Sequence, residues 1–132
     1  MAKMNSMRFC TAINCMDGRV QLPVIEYLQQ RFDVEYVDSI TKPGPSLILA
    51  ERKNDATVQA ILDMLKLSIE KHNSAEVAVV GHYDCAANQA LRADQVVHIQ
   101  QACQFLRQQF ENVKIIGLWV DENWDVHEVL DT

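Results

Sequence analysis

The stretch from Val77 to Asn88, Val-Ala-Val-Val-Gly-His-Tyr-Asp-Cys-Ala-Ala-Asn, constrains this chain more than any other. A short apolar run closed by glycine reads as a strand buried on both faces, and such strands belong to parallel sheets covered by helices. The Ala/Asn/Gln/Leu residues beyond Cys85 read as a short helix. His82 and Cys85 therefore stand at a strand-to-helix junction, where open α/β sheets usually bind ligands. A second junction lies upstream, where the apolar run Met7 to Ile13 is followed by Asn14-Cys15-Met16-Asp17-Gly18-Arg19.

The remaining chain alternates in the same way. Gly18 permits a tight turn, and Pro23 suits a first helical turn, with Val24, Ile25, Leu28 and Phe32 following at helical spacing. Val34 to Asp38 reads as the second strand. Ser39 to Ser46, containing Lys42-Pro43-Gly44-Pro45, reads as a loop bordering the site. From Asn54, a good N-cap, a helix is expected to about His72, with Val58, Ile61, Leu62, Leu65 and Ile69 on its apolar face. Glu76 to Gly81 is the central strand. Asp94 opens a helix carrying Val96, Ile99, Cys103, Leu106 and Phe110, and Val113 to Val120 is a last buried strand. Asp121-Glu122-Asn123 then turns the chain into an edge strand, Trp124 to Leu130. The fold class is α/β, a mostly parallel central sheet flanked by helices with a C-terminal edge hairpin. At 132 residues the chain is too short for two cores, so residues 1–132 are expected to form one domain.

Charge narrows the function. A net charge of -6 with no run of Lys or Arg gives no footprint for nucleic acid or for an anionic membrane surface, and small substrates fit better. The first residues, Met1 to Ser6, contain no apolar h-region, and no window approaches the roughly 18 to 20 apolar residues of a membrane span, so a cytoplasmic protein is expected. Four cysteines in such a chain point to metal binding or catalysis rather than to disulfides. Cys10, inside the first apolar run, and Cys103, on a helical apolar stripe, read as packed hydrophobes. His72, His98 and His127 read as packed or solvated.

Cys15, His82 and Cys85 are left as a Cys₂His set, and three protein ligands with one position open is the pattern of a catalytic zinc site. Two thiolates and an imidazole suit zinc better than magnesium or calcium. A helix start after Cys85 would favour its thiolate. His82-x-x-Cys85 alone is a weak signal and reads more readily as a buried histidine beside a packed cysteine. Cys15-x-Asp17-x-Arg19 adds a carboxylate that a guanidinium can keep ionised while it accepts a hydrogen bond from zinc-bound water; the plain alternative is a solvated ion pair.

These residues resemble the signature of the β-class carbonic anhydrases, Cys-x-Asp-x-Arg after one strand and His-x-x-Cys after a later one. Here they stand as Cys15-Met16-Asp17-Gly18-Arg19 and His82-Tyr83-Asp84-Cys85, with Val20, Gly81 and Gly117 extending the likeness over most of the chain. Gly18 replaces the serine usual before the arginine, and Ala86 the glycine usual after the second cysteine. The resemblance implies a β-carbonic-anhydrase-like fold and zinc on Cys15, His82 and Cys85. It also implies reversible hydration of carbon dioxide to bicarbonate by zinc-bound hydroxide. Asp17 would orient that hydroxide or itself ligate zinc, and Arg19 would draw the carboxylate away from the metal. A homodimer or dimer-based assembly is implied as well. Two readings stay open beside this one: a zinc hydrolase of another small electrophile such as carbon disulfide, and a non-catalytic zinc-binding regulatory domain.

Overall fold

A computed structural model describes residues 7–130; the reading of Met1 to Ser6 falls outside them. Its element order is β1 (Phe9–Cys15), α1 (Gln21–Phe32), β2 (Tyr36–Lys42), α2 (Pro45–Glu51), α3 (Asp55–His72), β3 (Glu76–His82), α4 (Arg92–Gln109), β4 (Lys114–Val120) and β5 (Val126–Val129). The strands form one sheet in the order β2-β1-β3-β4-β5, with β1 to β4 parallel and β5 antiparallel to β4. The expected architecture, a largely parallel sheet with a C-terminal edge hairpin, is the one found.

Helices cover both faces. Val24, Leu28 and Phe32 of α1 pack with Cys10, Ala12, Ala78, Val80 and Leu118 on one side. Leu49 of α2, Ile61 and Leu65 of α3, and Ile99 and Leu106 of α4 pack with Ile13, Val77 and Val79 on the other. Both sides of β1 and β3 are thereby buried, which is why these strands are mostly apolar, with Thr11, Asn14 and His82 as buried polar exceptions. Close helix packing also explains Gly117, where a Cβ would collide with Cγ2 of Ile99.

Several boundaries differ from the sequence expectation. The first strand runs two residues further, to Cys15, because the buried Asn14 is satisfied locally: its Nδ2 donates to the Val20 carbonyl at 3.1 Å and its Oδ1 accepts from Cys15 N at 2.8 Å. The second strand spans Tyr36–Lys42 rather than Val34 to Asp38, with Ala12 to Cys15 pairing with Ser39 to Lys42. Ser39 to Ser46 is therefore not a loop. Its first half is a sheet-edge strand, where polar side chains can face solvent, and α2 begins at Pro45 after Gly44, whose φ of 58° suits glycine. The turn formers hid both elements. No helix follows Cys85; the chain from Tyr83 to Leu91 is irregular until α4 starts at Arg92. α1 begins two residues before Pro23, after a single 3-10 turn at Gly18–Val20. Gly18 is not conformationally required there, since a Cβ would meet nothing within 4 Å. No helix of the described residues is long and apolar enough to cross a membrane.

From β1 the chain passes to β2 on one side and later returns to β3 on the other side of β1. The loops after β1 and β3 thus leave the sheet in opposite directions and open a crevice between the two carboxyl ends.

Candidate metal centre

Cys15 is the last residue of β1, His82 the last of β3, and Cys85 lies three residues on. All three are buried, at 5%, 1% and 3% exposure, and one ligand atom from each lies within 4.8 Å of the others. The two sulfurs are 4.0 Å apart. The first-strand extension matters here: Cys15 is held by the β-ladder rather than by a mobile loop.

The imidazole decides whether this cluster fits a metal. Its Nδ1 lies 2.7 Å from the Tyr83 carbonyl, which can only accept, so Nδ1 carries the proton and Nε2 holds a lone pair. Among the described residues that Nε2 is buried without a partner. An unmet buried acceptor costs about 1–3 kcal/mol, and it belongs to an imidazole clustered with two buried thiols. A cation accepting the lone pair removes the cost. A carbonyl on the far nitrogen is also the arrangement that orients metal-binding histidines. The donor set fits zinc, with two sulfurs and one nitrogen.

The thiol of Cys85 is pushed up from its ordinary value, first by burial and then by the neighbouring Cys15, while the backbone N–H groups of Ala87 and Asn88 pull it down. The helix dipole expected to favour its thiolate is absent, because no helix follows it. Those two loop N–H groups stand in the helix's place, and a bound dication would reverse the effect of burial.

Asp17 and Arg19 lie beside the cluster. Asp17 caps the 3-10 turn, its Oδ1 accepting from Arg19 N at 2.9 Å. Arg19 returns a two-pronged pair, Nε to Oδ1 at 3.0 Å and Nη2 to Oδ2 at 2.7 Å. The guanidinium bond foremost holds the Asp17 carboxyl down to about 2. Gln21 fixes the same loop by donating from Nε2 to the carbonyls of Cys15 and Asp17 at 2.7 and 2.9 Å.

Sequence reasoning missed how far Arg19 is held. It also donates to Asp84 Oδ2 and to the Asp84 carbonyl, each at 3.2 Å, and its guanidinium lies 4.6 Å from the Trp124 ring centroid. Three loops, after β1, β3 and β4, meet on one side chain. This is more than the solvated pair considered above. The only sequence signal was the position of Asp84 inside His-x-x-Cys. A cavity of ≈ 780 Å³ opens beside Cys85, with Arg19, Asp84, Leu91 and Trp119 on its walls.

The other cysteines and histidines lie elsewhere. Cys10 and Cys103 are buried, and burial foremost pushes the Cys10 thiol up to about 12. His72 lies 2.6 Å from Asp38 and stacks on Phe9, His98 meets Asn88, and His127 meets Asp121.

A family profile described as "Putative carbonic anhydrase" matches residues 5–130. Among solved structures, a carbonic anhydrase from Streptococcus mutans superposes with a TM-score of 0.63 at 16% identity, over 94% of this chain and 82% of that one. A tetrameric β-carbonic anhydrase from Sordaria macrospora gives 0.60 at 10% identity, over 93% and 81%. The apo form of a carbon disulfide hydrolase gives 0.58 at 15% identity, over 93% and 79%. At these identities the superpositions establish the fold. A search of curated protein sequences finds no match.

Proposed function

The chain belongs to the carbonic anhydrase family that this profile describes, and from that premise we propose that it is a zinc-dependent carbonate dehydratase interconverting carbon dioxide and bicarbonate. The observation that carries the reading is the partnerless Nε2 of His82 among two buried thiols, beside an arginine-held carboxylate. Cys15, His82 and Cys85 would hold the metal. Zinc in such a site supplies a Lewis acid that lowers the pKa of water from about 15.7 towards about 7.

The chain's own residues do the rest. Tyr83's carbonyl keeps the His82 proton on Nδ1, so Nε2 stays available as a donor to the metal. Asp17, held ionised by Arg19, acts as an acceptor that orients the attacking oxygen; Arg19 keeps that carboxylate from collapsing onto the cation. The apolar side chains of Leu91 and Trp119 offer carbon dioxide a surface that water binds poorly. The proton released on hydration leaves through the exposed side, where Tyr83, Asp84 or buffer can take it.

Stopped-flow hydration of carbon dioxide by the zinc-loaded protein tests the reading, with carbon disulfide hydrolysis run beside it because one structural neighbour is a hydrolase of that compound. Turnover far above free zinc is expected with carbon dioxide. Turnover of carbon disulfide alone would assign the site to that electrophile, and bound zinc with neither activity would favour a regulatory domain.

A second copy of the chain is the partner we expect. Met16, Leu22, Tyr83 and Leu91 are exposed apolar residues close to the loops that frame the centre, a placement that suits a dimer covering this end of the sheet. Sedimentation at micromolar concentration should give a dimer or a multiple of it; a monomer would refute the assembly.

A further inference from the structure

We propose that Gln95 is a positioning residue of the metal centre, its side-chain amide tying the end of β3 to the irregular loop after it and so setting the spacing of His82 and Cys85. The inference rests on reading Cys15, His82 and Cys85 as metal ligands, but not on which electrophile reacts there. Between Tyr83 and Leu91 there is neither helix nor strand, so something other than a backbone ladder must fix the path of the loop that carries Cys85. Gln95, from the start of α4, reaches into it. Its Nε2, with two hydrogens to donate and one of them shared, lies within hydrogen-bond distance of the carbonyls of His82 at 2.9 Å, Asn88 at 3.2 Å and Ala90 at 3.0 Å.

Those three carbonyls bracket Cys85. His82, itself in the donor set, lies on one side, and Asn88, whose own N–H faces the Cys85 sulfur together with that of Ala87, lies on the other. Asn88 is buried and doubly fixed, its Nδ2 donating to His98 Nδ1 at 3.0 Å and its Oδ1 accepting from Ala90 N at 3.3 Å. A shift of the Gln95 amide would therefore reach both halves of the His82–Cys85 pair. Gln95 itself is 1% exposed, so water does not substitute for it.

The plain alternative is that Gln95 merely fills the core. Its position argues against that. Gln95, Ile99, Ala102, Cys103 and Leu106 form the buried stripe of α4, while Val96, which the sequence suggested for that stripe, is only partly buried. An apolar residue would fill the same space without stranding the Gln95 Oε1, which is buried and has no partner among the described residues. That cost is offset only by the three carbonyls on the other end of the amide. Gly81 fits the same picture: a Cβ there would lie 2.9 Å from Ile99 Cδ1 and 3.1 Å from Gln95 Oε1, so glycine lets α4 bring the amide close to the strand end.

The experiment measures metal, not turnover. Cobalt(II) is loaded into the purified full chain, its thiolate charge-transfer and d–d absorption is recorded, and zinc dissociation constants are taken by chelator competition. Gln95→Met should weaken zinc about 10- to 100-fold, the range seen when groups supporting metal ligands are lost, and should alter the cobalt spectrum. Leu106→Ala, on the same buried stripe but away from the loop, should lower the unfolding midpoint while leaving affinity and spectrum unchanged. Should Gln95→Met fail to fold, Gln95→Glu keeps the shape, turns oxygen towards the three carbonyls and is expected to give the same metal defect. Wild-type affinity and spectrum in either Gln95 variant would overturn the proposal, as would equal changes in Leu106→Ala. A wild type that takes up cobalt but hydrates no carbon dioxide would reject the proposed reaction and, if Gln95→Met still changes the metal, support the role given to Gln95.

Discussion

Cys15→Ser, His82→Ala and Cys85→Ser are each expected to reduce zinc from about one per chain to a trace and to bring carbon dioxide hydration down to that of buffer. Three donors are the whole protein contribution to the proposed site, so removing one leaves two, and no other His, Cys, Asp or Glu group of this kind occurs among the described residues. Serine is nearly the size of cysteine but keeps its proton near neutral pH and is a far poorer partner for zinc. His82→Ala additionally removes the donor to the Tyr83 carbonyl. Cys10→Ser provides the control. Cys10 is fully buried and remains a thiol because burial pushes it up to about 12. Exchanging it for a hydroxyl should cost about 1–3 kcal/mol of stability but no metal. Elemental analysis after chelator-free purification, beside a denaturant titration, separates the two effects. Equal zinc loss from Cys10→Ser would show that Cys10 supports the metal as Cys15 and Cys85 do.

What was legible in the sequence was what periodicity and residue chemistry carry over short range. The apolar run Val77 to Val80 announced a strand buried on both faces, Asn54 marked the start of α3 correctly, and the donor types of Cys15, His82 and Cys85 pointed to zinc before any distance was known. What was not legible depends on partners distant in sequence. Ser39 to Lys42 include the strand formers Ile40 and Thr41 but run straight into Pro43-Gly44-Pro45, which masked them as a loop; the ladder offered by β1 makes them a strand. Ala86 to Leu91 have helical composition, yet Gln95 and Asn88 hold them in an irregular path around Cys85. The closing of Arg19 onto Asp84 and Trp124 joins positions 65 residues apart or more, which spacing alone cannot reveal.

Asp17→Asn is expected to keep zinc bound while lowering the rate of carbon dioxide hydration by about 100-fold to 10,000-fold, the usual contribution of a positioned acid-base group. The sign follows from the ion pair. Asp17 is held down to about 2 from an ordinary 3.8, so the stability its pairing contributes is fully present above the ordinary value and is lost only as pH falls through about 2. Across any working pH it is a carboxylate, able to accept a proton's hydrogen bond but not to donate one. Asparagine offers a weaker acceptor and can present an N–H where an acceptor is needed. Any rise of wild-type activity between about pH 6 and 9 must therefore come from another group, as expected if zinc lowers the pKa of water into that range. Arg19→Ala tests the other half of the pair. It releases Asp17, two residues from Cys15, to approach the cation, and removes the ties to Asp84 and Trp124. A comparable loss of rate with zinc retained is expected. Stopped-flow traces on wild type and both variants, each with its zinc content verified, decide the matter: an unaffected Asp17→Asn would remove the carboxylate from the mechanism.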